Sequence, residues 1–203
     1  MNPLSSISGS IITGVIVAII VIIAAVSLHA SPGAFHEIGL ARWLHILSGI
    51  TWIGLLYYFN LVQTPALAAA AADKGGPGGA GISKYVAPRA LLWFRWGAVA
   101  TWLTGAWYLV RSANGVNALT LGHGGNNGYG LIIGIGAWLG TIMLLNVWVF
   151  IWPNQKKILG IVPASDEEKA RARKIAGNAS RANFVLSIPM LLCMASATHG
   201  LPF

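Results

Sequence analysis

The sequence predicts an all-α integral membrane protein, a five-helix transmembrane bundle that forms a single domain over residues 1–203. Hydrophobic residues make up 56% of the chain and charged residues only 9%, whereas soluble domains carry about 25% charged residues. Five apolar stretches approach or exceed the roughly 18 to 20 residues that cross a hydrocarbon core. These stretches are Ile11 to Leu28, Trp43 to Leu67, Ala90 to Val110, Tyr129 to Trp152 and Phe184 to Leu201.

The first stretch is predicted to be an additional N-terminal helix and not a cleaved secretory signal. Residues 1–10 contain no Lys or Arg, and Leu28-His29-Ala30 is a poor small-x-small cleavage site. We therefore expect the helix over residues 11–28 to remain in the protein.

The net charge of +8 is distributed between loops, as in membrane topology, and not along one stripe that would favour nucleic acid. On one side of the predicted membrane, the only basic residues are Arg42 and Arg111. The loops on the opposite side carry Lys74, Lys84, Arg89, Lys156, Lys157, Lys169, Arg171, Arg173, Lys174 and Arg181. The positive-inside rule therefore predicts a cytoplasmic N-terminus and a C-terminus on the outer side.

The histidines are all predicted in the outer half of the membrane or in outer loops: His29, His36, His45, His123 and His199. His45 lies inside an apolar stretch, where an ionisable side chain needs a partner. At a rise of about 1.5 Å per helical residue, His45 lies roughly 4 to 5 Å below the outer boundary. His199 lies roughly 22 Å up a crossing of about 30 Å. The two imidazoles are therefore expected at similar depth.

Two imidazoles at matched depth on different helices suit the axial positions of a b-type haem. We predict a non-covalent haem b whose iron is bound by His45 and His199. Small residues on the His45 face would let a flat ring approach the helix backbone, and outer arginines would pair with the propionates. The further predicted haem contacts are Ser48, Gly49, Trp52, Arg42 and Arg111.

Other interpretations of the histidines remain open. A membrane histidine can serve only as a hydrogen-bond partner of a neighbouring helix, and zinc or copper also binds imidazole. His29, His36 and His123 are predicted to be solvated loop residues. Cys193 is the only cysteine, which excludes thiolate zinc clusters and covalent C-x-x-C-H haem attachment.

A second set of polar residues lies in the inner half of the predicted membrane: Asn60, Gln63, Arg95, Asn146 and Asn183. Arg95 follows Arg89 by six residues, so it can snorkel to the cytoplasmic surface. Alternatively, Arg95 and the asparagines form a pocket for an anionic substrate or a structural hydrogen-bond network. The acidic residues are all in predicted loops, which argues against an ion-coupled pump.

Local motifs predict details of the helices. Ser165 and Glu168 have the spacing of a capping box, and Pro189 is predicted to kink the last helix. Glycines four residues apart on the fourth helix, at 130, 134, 136 and 140, are typical of helix packing.

Four blocks of sequence, in this order, resemble one known membrane domain. They are WLHILSGITWIGLLYYFN, PRALLWFRWGAVATWLTG, LNVWVFIWPNQKKILG and ASRANFVLSIPMLLCMASATHG. Together they are similar to the membrane domain at the N-terminus of the bacterial cytochrome-c-linked urate hydroxylase family. The first block also resembles, more weakly, haem-binding helices of the copper-resistance-D and protoporphyrinogen oxidase families.

The resemblance implies a multi-pass protein of the bacterial inner membrane, with a cytochrome c domain on the periplasmic side in the family. This chain has no C-x-x-C-H motif, so a separate periplasmic cytochrome c or another redox subunit is the expected partner. We therefore expect a haem-b electron-transfer protein, or a subunit of a larger redox complex. The alternatives are a membrane enzyme that oxidises urate or a similar planar anion, and a cofactor-free structural subunit.

Overall fold

The computed structural model describes residues 2–28, 36–123 and 127–202. These residues form helices joined by turns, and they contain no β-strand. The prediction of an all-α fold is therefore confirmed for the part of the chain that is described. His29, predicted to be a solvated loop residue, lies outside the described residues.

The chain forms two compact units, Met1–Glu37 and Ile38–Phe203. In the first unit, a 3₁₀ turn over Pro3–Ser5 precedes helix α1 over Ile7–Leu28. No residue of α1 is buried, and its exposed surface is almost entirely aliphatic, as expected of a helix that faces lipid. The single domain over residues 1–203 stays a prediction, and each unit is described by itself.

The second unit contains the remaining helices. These are α2 (Glu37–Tyr58), α3 (Thr64–Ala72), α4 (Ala87–Arg111), α5 (Gly115–Leu119), α6 (Asn127–Asn146), α7 (Trp152–Ile158) and α8 (Asp166–His199). There are three π-helical segments. Phe59–Gln63 joins α2 to α3 and Val147–Ile151 joins α6 to α7, whereas Ile82–Val86 directly precedes α4.

Helix α2 and its π segment pack against α4 and α8. The ring of Phe59 meets Phe94 of α4 edge-on, with centroids 5.4 Å apart, while Gly97 lies against the α2 backbone nearer its start. On the other side, the Ser187 hydroxyl of α8 donates to the Tyr57 hydroxyl at 3.2 Å. In these contacts, residues later in α2 meet residues earlier in α4 and in α8. Helix α2 is therefore antiparallel to both neighbours.

Helix α6 completes the arrangement. The indole N–H of Trp102 on α4 donates to the Thr141 hydroxyl at 2.9 Å, and Trp96 meets Trp148 further along. A Cβ on Gly136 would contact Cys193 of α8 at 3.2 Å. Helices α2, α4, α6 and α8 therefore form a closed antiparallel set, which we call the bundle.

The bundle interior is apolar. Its buried residues come from all four long helices and their π segments: Trp52, Leu56, Phe59, Leu91, Phe94, Ala98, Met143, Val147, Ile151 and Met190. The edge-on contact of Phe59 with Phe94 lies inside this cluster and contributes about 0.5–1.5 kcal/mol beyond its buried area.

Each π segment ends two residues before a proline. The three prolines are Pro65, Pro88 and Pro153. A proline has no N–H, and its ring clashes with the carbonyl four residues earlier in an α-helix. The wider π turn relieves that clash, since the N–H of Thr64 bonds the carbonyl of Phe59, five residues back. The proline therefore explains the local widening of the helix.

Four helical segments are long and apolar enough to cross a membrane, judged by length and composition: Ile7–Leu28, Glu37–Ala72, Gly128–Ile158 and Asp166–His199. Helix α4 is less apolar because it contains Arg95 and several tryptophans. It nevertheless runs beside α2 from Phe94 to Gly105. The predicted membrane helices are therefore confirmed as four candidate spans among the described residues. The five-helix bundle, with α4 as the fifth crossing, stays a prediction.

Two local predictions have clear outcomes. The Ser165 hydroxyl accepts from the Glu168 N–H at 3.1 Å, and the Glu168 carboxylate accepts from the Ser165 N–H at 2.9 Å. The predicted capping box is therefore confirmed at the start of α8. Helix α8 continues through Pro189, and its kink stays a prediction.

The glycines of α6 allow close packing, as predicted, at three of their four positions. Gly130 and Gly134 pack against Asn117 and Ala118, and Gly136 packs against α8. Gly140 has no atom near a Cβ position. The pair Gly130 and Gly134 therefore packs against α5, whereas Gly136 of the second pair packs against α8.

Candidate functional site

His45 is held by the backbone of the neighbouring helix. Its Nδ1 lies 2.8 Å from the carbonyl oxygen of Thr101 on α4. Because a carbonyl oxygen only accepts, Nδ1 carries the proton and the lone pair is on Nε2. Histidines that bind metals use this arrangement, in which a fixed N–H on one nitrogen orients the other.

The imidazole of His45 fits against α4 because Gly105 has no side chain. A Cβ on Gly105 would lie 2.8 Å from Cε1 and 2.9 Å from Nδ1 of the ring. Gly97, Thr101 and Gly105 recur at four-residue spacing and form a stripe of small residues along α4. This stripe allows the two helix backbones to approach each other closely.

The other small residues predicted around the haem also lie at this helix contact. A Cβ on Gly49 would be 3.8 Å from the Thr101 methyl group. Trp52 is 2% exposed and belongs to the bundle interior, and its backbone lies against Gly97. Its indole N–H is buried, without a hydrogen-bond partner among the described residues. Ser48 is half-buried on the same part of α2.

His199 is exposed at the end of α8. It lies twelve residues after Ser187, and His45 lies twelve residues before Tyr57, the two residues that join α2 to α8. Both histidines are therefore about 18 Å along their helices from one contact point. This equal spacing supports the predicted match in depth, while ligation by either residue stays a prediction.

The remaining predicted outer residues do not form a metal cluster. Within the described residues, no group of three or more His, Cys, Asp or Glu side chains could hold a metal ion. Arg42 is exposed near the start of α2, and Arg111 is exposed at the end of α4. His123 is exposed and its Nδ1 bonds the Thr120 carbonyl, and His36 is exposed beside the start of α2.

The predicted inner asparagines bind to one another and to backbone. Asn183 is fully buried, and its amide donates to the Met143 carbonyl at 3.0 Å. Its oxygen accepts from the Asn146 amide at 2.7 Å, and that amide also donates to the Ala179 carbonyl. These bonds join α6 to α8. The structural network, left open as an alternative to a substrate pocket, accounts for this pair.

Asn60 connects α2 to α8 in a similar way. Its amide donates to the Leu56 carbonyl at 2.9 Å and to the Ser180 hydroxyl at 3.0 Å. Gln63, three residues later, is buried with a side-chain oxygen that has no partner among the described residues. The end of the bundle that contains Asn60 and Gln63 therefore has hydrogen-bonded side-chain amides and, among the described residues, one amide oxygen without a partner.

Arg95 lies over an aromatic ring. Its guanidinium carbon is 3.9 Å from the centroid of Trp152, and the ammonium of Lys156 is 6.0 Å from the same ring. The side chain is half-buried and is directed toward the end that carries Lys156. This direction agrees with snorkelling, and stacking leaves the N–H groups in the guanidinium plane able to bind an anion.

Sequence reasoning missed Thr101, Gly105 and Ser180. The stripe of small residues on α4 was a usable signal for Gly105, because its spacing equals that of the glycine pairs recognised on α6. No signal could identify Thr101, since its contribution is a backbone carbonyl. Ser180 likewise becomes visible only when α2 and α8 are placed together.

The comparison with protein families identifies the last part of the chain. The family model described as urate oxidase N-terminal matches residues 125–203. These residues make up less than half of the chain, and over them the chain is similar to the urate oxidase N-terminal family. The predicted resemblance to this family is therefore confirmed over these residues, which include Asn146, Asn183 and His199.

His45, Thr101 and Arg95 lie before the residues that match the urate oxidase N-terminal family. The family match does not cover the first two sequence blocks, so their resemblance to this family stays a prediction. No curated protein and no solved structure matched the chain. The weaker resemblance to haem-binding families stays a prediction.

Proposed function

We propose that this protein binds haem b in the bacterial inner membrane and relays electrons, alone or as a subunit of a larger redox complex. The observation that carries the proposal is the hydrogen bond of His45 to the Thr101 carbonyl. It fixes the tautomer in which Nε2 can bind iron. When bound, a b-type haem supplies one-electron redox chemistry.

The residues around His45 fit a bound cofactor in two respects. The small-residue stripe keeps the imidazole close to α4, so its orientation is set before any ligand binds. The buried indole N–H of Trp52 is an unsatisfied donor on the same helix, and such a group is costly without a partner. Ser48 and Gly49 lie between the two on the same face of α2, where the Thr101 methyl group of α4 lies 3.8 Å from a Cβ on Gly49.

His199 is the second residue that would hold the haem iron. Its support is the equal spacing of the two histidines from the Tyr57–Ser187 contact. Arg42 and Arg111 lie at the same end of the bundle, where charge-assisted hydrogen bonds to propionates are possible. A periplasmic cytochrome c or another redox subunit is the proposed partner at this end.

Visible absorption spectroscopy of the full-length protein, purified in detergent, tests the proposal. We expect a low-spin b-type spectrum that changes in His45→Ala and in His199→Ala, because each removes an imidazole that would hold the haem iron. The matched control is His123→Ala, which removes an exposed imidazole from the same end. A folded protein without haem, or an unchanged spectrum when both ligands are replaced, would leave the structural-subunit alternative.

The proposed orientation has a cytoplasmic N-terminus, five crossings and a periplasmic C-terminus. Antiparallel packing of α4 beside α2 supports a crossing by α4, because neighbours in contact over this length traverse the same depth. Reporter fusions after Gly79 and Asp166 should be cytoplasmic, and fusions after His123 and Leu201 periplasmic. The inverse pattern would put the histidines on the wrong side for a periplasmic electron acceptor.

A second candidate is the oxidation of urate or a similar planar anion. It is favoured by the match to the urate oxidase N-terminal family and by Arg95, whose N–H groups remain able to bind an anion while its face covers Trp152. Reduction of the haem on addition of urate, followed by visible absorption, would support this candidate. Arg95→Gln should then weaken urate binding and leave the spectrum of the oxidised protein unchanged.

A further inference from the structure

A cleft opens at the end of the bundle that carries Lys156, Lys157, Lys169 and Arg181, which we call the basic end. The cleft has a volume of about 220 Å³ and lies between the start of α8 and the residues around the first π segment. The lining residues that matter here are Asn60, Thr64, Gly177, Ser180 and Arg181.

The polar lining of the cleft is rich in hydrogen-bond donors. The Ser180 hydroxyl accepts from the Asn60 amide, so its own O–H can donate into the cleft. Thr64 contributes a second hydroxyl, and Arg181 contributes five N–H donors and a full positive charge. This combination is suited to an anion with several acceptor oxygens.

No acidic side chain on the adjacent part of α8 competes for this charge. Ion pairs join Lys157 to Glu168 and Lys169 to Asp166, at or before the first turn of the helix. From Lys169 to Arg181 the sequence contains five basic residues and no Asp or Glu. The local potential is therefore positive, which attracts anionic headgroups at a membrane surface.

Gly177 provides the space. A Cβ at this position would meet no atom within 4 Å, and the residue lies one helical turn before Arg181. A side chain here would project into the volume that a ligand would occupy. Three residues of α8 therefore line the cleft together. Gly177 leaves the opening, Ser180 supplies a hydroxyl donor, and Arg181 supplies the positive charge.

We propose that this cleft binds a phosphate group, supplied by an anionic phospholipid headgroup or by free phosphate. The site is separate from the proposed haem site, which lies at the opposite end of the bundle. It would anchor the basic end at the membrane surface or respond to a soluble phosphate.

Binding is measured on full-length protein in phosphatidylcholine nanodiscs containing increasing fractions of phosphatidylglycerol. Native mass spectrometry after disc disruption counts the lipids that stay bound. We expect selective retention of phosphatidylglycerol, and about a tenfold weaker binding in Arg181→Gln because a charged hydrogen-bond donor is lost. The matched control is Arg171→Gln, which removes the same charge from the same helix outside the cleft.

A steric variant separates the cleft from the general charge of the helix. Gly177→Leu keeps every charge and fills the opening, so it should reduce retention as strongly as Arg181→Gln. In discs of phosphatidylcholine alone, binding of inorganic phosphate that Arg181→Gln removes would identify free phosphate as the source. Either source supports a phosphate site.

Three results would overturn the proposal: an equal loss in Arg171→Gln, unchanged binding in Gly177→Leu, or no binding of either phosphate source. Recording the visible spectrum of the same samples distinguishes failure of this site from failure of the haem proposal. Arg181 is exposed, so its replacement should leave the bundle folded.

Discussion

The two ends of the bundle satisfy their polar side chains in different ways. At the end that contains His45, an imidazole bonds a backbone carbonyl and packs where Gly105 lacks a side chain. At the basic end, asparagine amides bond one another and carbonyls across helices. A histidine held through one nitrogen keeps the other for a ligand, whereas paired amides are occupied in holding helices together. Polarity inside a bundle therefore indicates function only where a donor or acceptor remains available.

The apolar centre separates these two ends. Trp52, Leu56 and Phe94 are each at most 2% exposed between them, so apolar packing lies between the His45 site and the asparagine pair. Effects on the two ends should consequently be additive, since distant sites without shared partners are usually independent. The following predictions test that separation, beginning with the largest effect.

Gly105→Leu should disturb the His45 end most strongly. Its Cβ would lie 2.8 Å from Cε1 of His45, so the imidazole must move and lose the Thr101 bond. We expect a stability loss of about 1–3 kcal/mol from overpacking, measured by thermal unfolding in detergent. The nitrogen-15 NMR signals of His45 should also show loss of the fixed Nδ1–H tautomer.

Gly54→Leu is the matched control for that substitution. Gly54 is on the same helix as His45, and a Cβ there meets no atom within 4 Å. Its replacement should leave stability and the histidine signals unchanged. An equal loss in both variants would show that the close contact of Gly105 with His45 has no special importance.

The asparagine pair tests the contact between helices at the basic end. A double-mutant cycle with Asn146→Ala and Asn183→Ala isolates the energy of their 2.7 Å bond. We expect a coupling of about 0.6 kcal/mol and at most about 1.7 kcal/mol, the range of side-chain hydrogen bonds between membrane helices. The measurement is the free energy of unfolding of the four proteins.

Asn154→Ala provides the control for the asparagine cycle. Asn154 bonds the Phe150 carbonyl within its own helix, so it should show no coupling to Asn183. A coupling near zero between Asn146 and Asn183 would contradict a structural role for that pair. It would then favour their predicted part in a substrate pocket.

The fold was predictable to the extent that it depends on local sequence. The lengths of the apolar stretches predicted where the long helices lie. The spacing of Ser165 and Glu168 predicted the start of α8. The π segments were missed although Pro65, Pro88 and Pro153 mark them, because a proline can also end or kink a helix. The tertiary contacts needed the structure, since hydropathy does not determine which helices are neighbours.

The candidate site was predictable only through its side chains. His45 stood out because an ionisable group in an apolar stretch is costly. Its partner at Thr101 is a carbonyl, and every residue has one, so sequence could not select it. The same limit applies to Arg95, whose contact with Trp152 joins α4 to α7.

Ser165→Ala should give a local effect at the basic end. The hydroxyl caps the Glu168 N–H at 3.1 Å, and loss of such a cap costs about 1 kcal/mol. Hydrogen exchange should accelerate in the first turn of α8 and remain unchanged near Asn183. Faster exchange throughout α8 would show that its start and its buried part unfold together.

Arg95→Lys should destabilise the protein less than Gly105→Leu or Ser165→Ala. A lysine keeps the charge but loses the planar group that lies 3.9 Å from the Trp152 centroid. We expect a loss of about 0.5–1 kcal/mol in the free energy of unfolding, limited because Lys156 is already near the same ring. Arg89→Lys is the control, since Arg89 is exposed and bonds the Tyr85 carbonyl of its own helical turn. If Arg95→Lys also altered the His45 NMR signals, the two ends of the bundle would be coupled and the separation described above would be wrong.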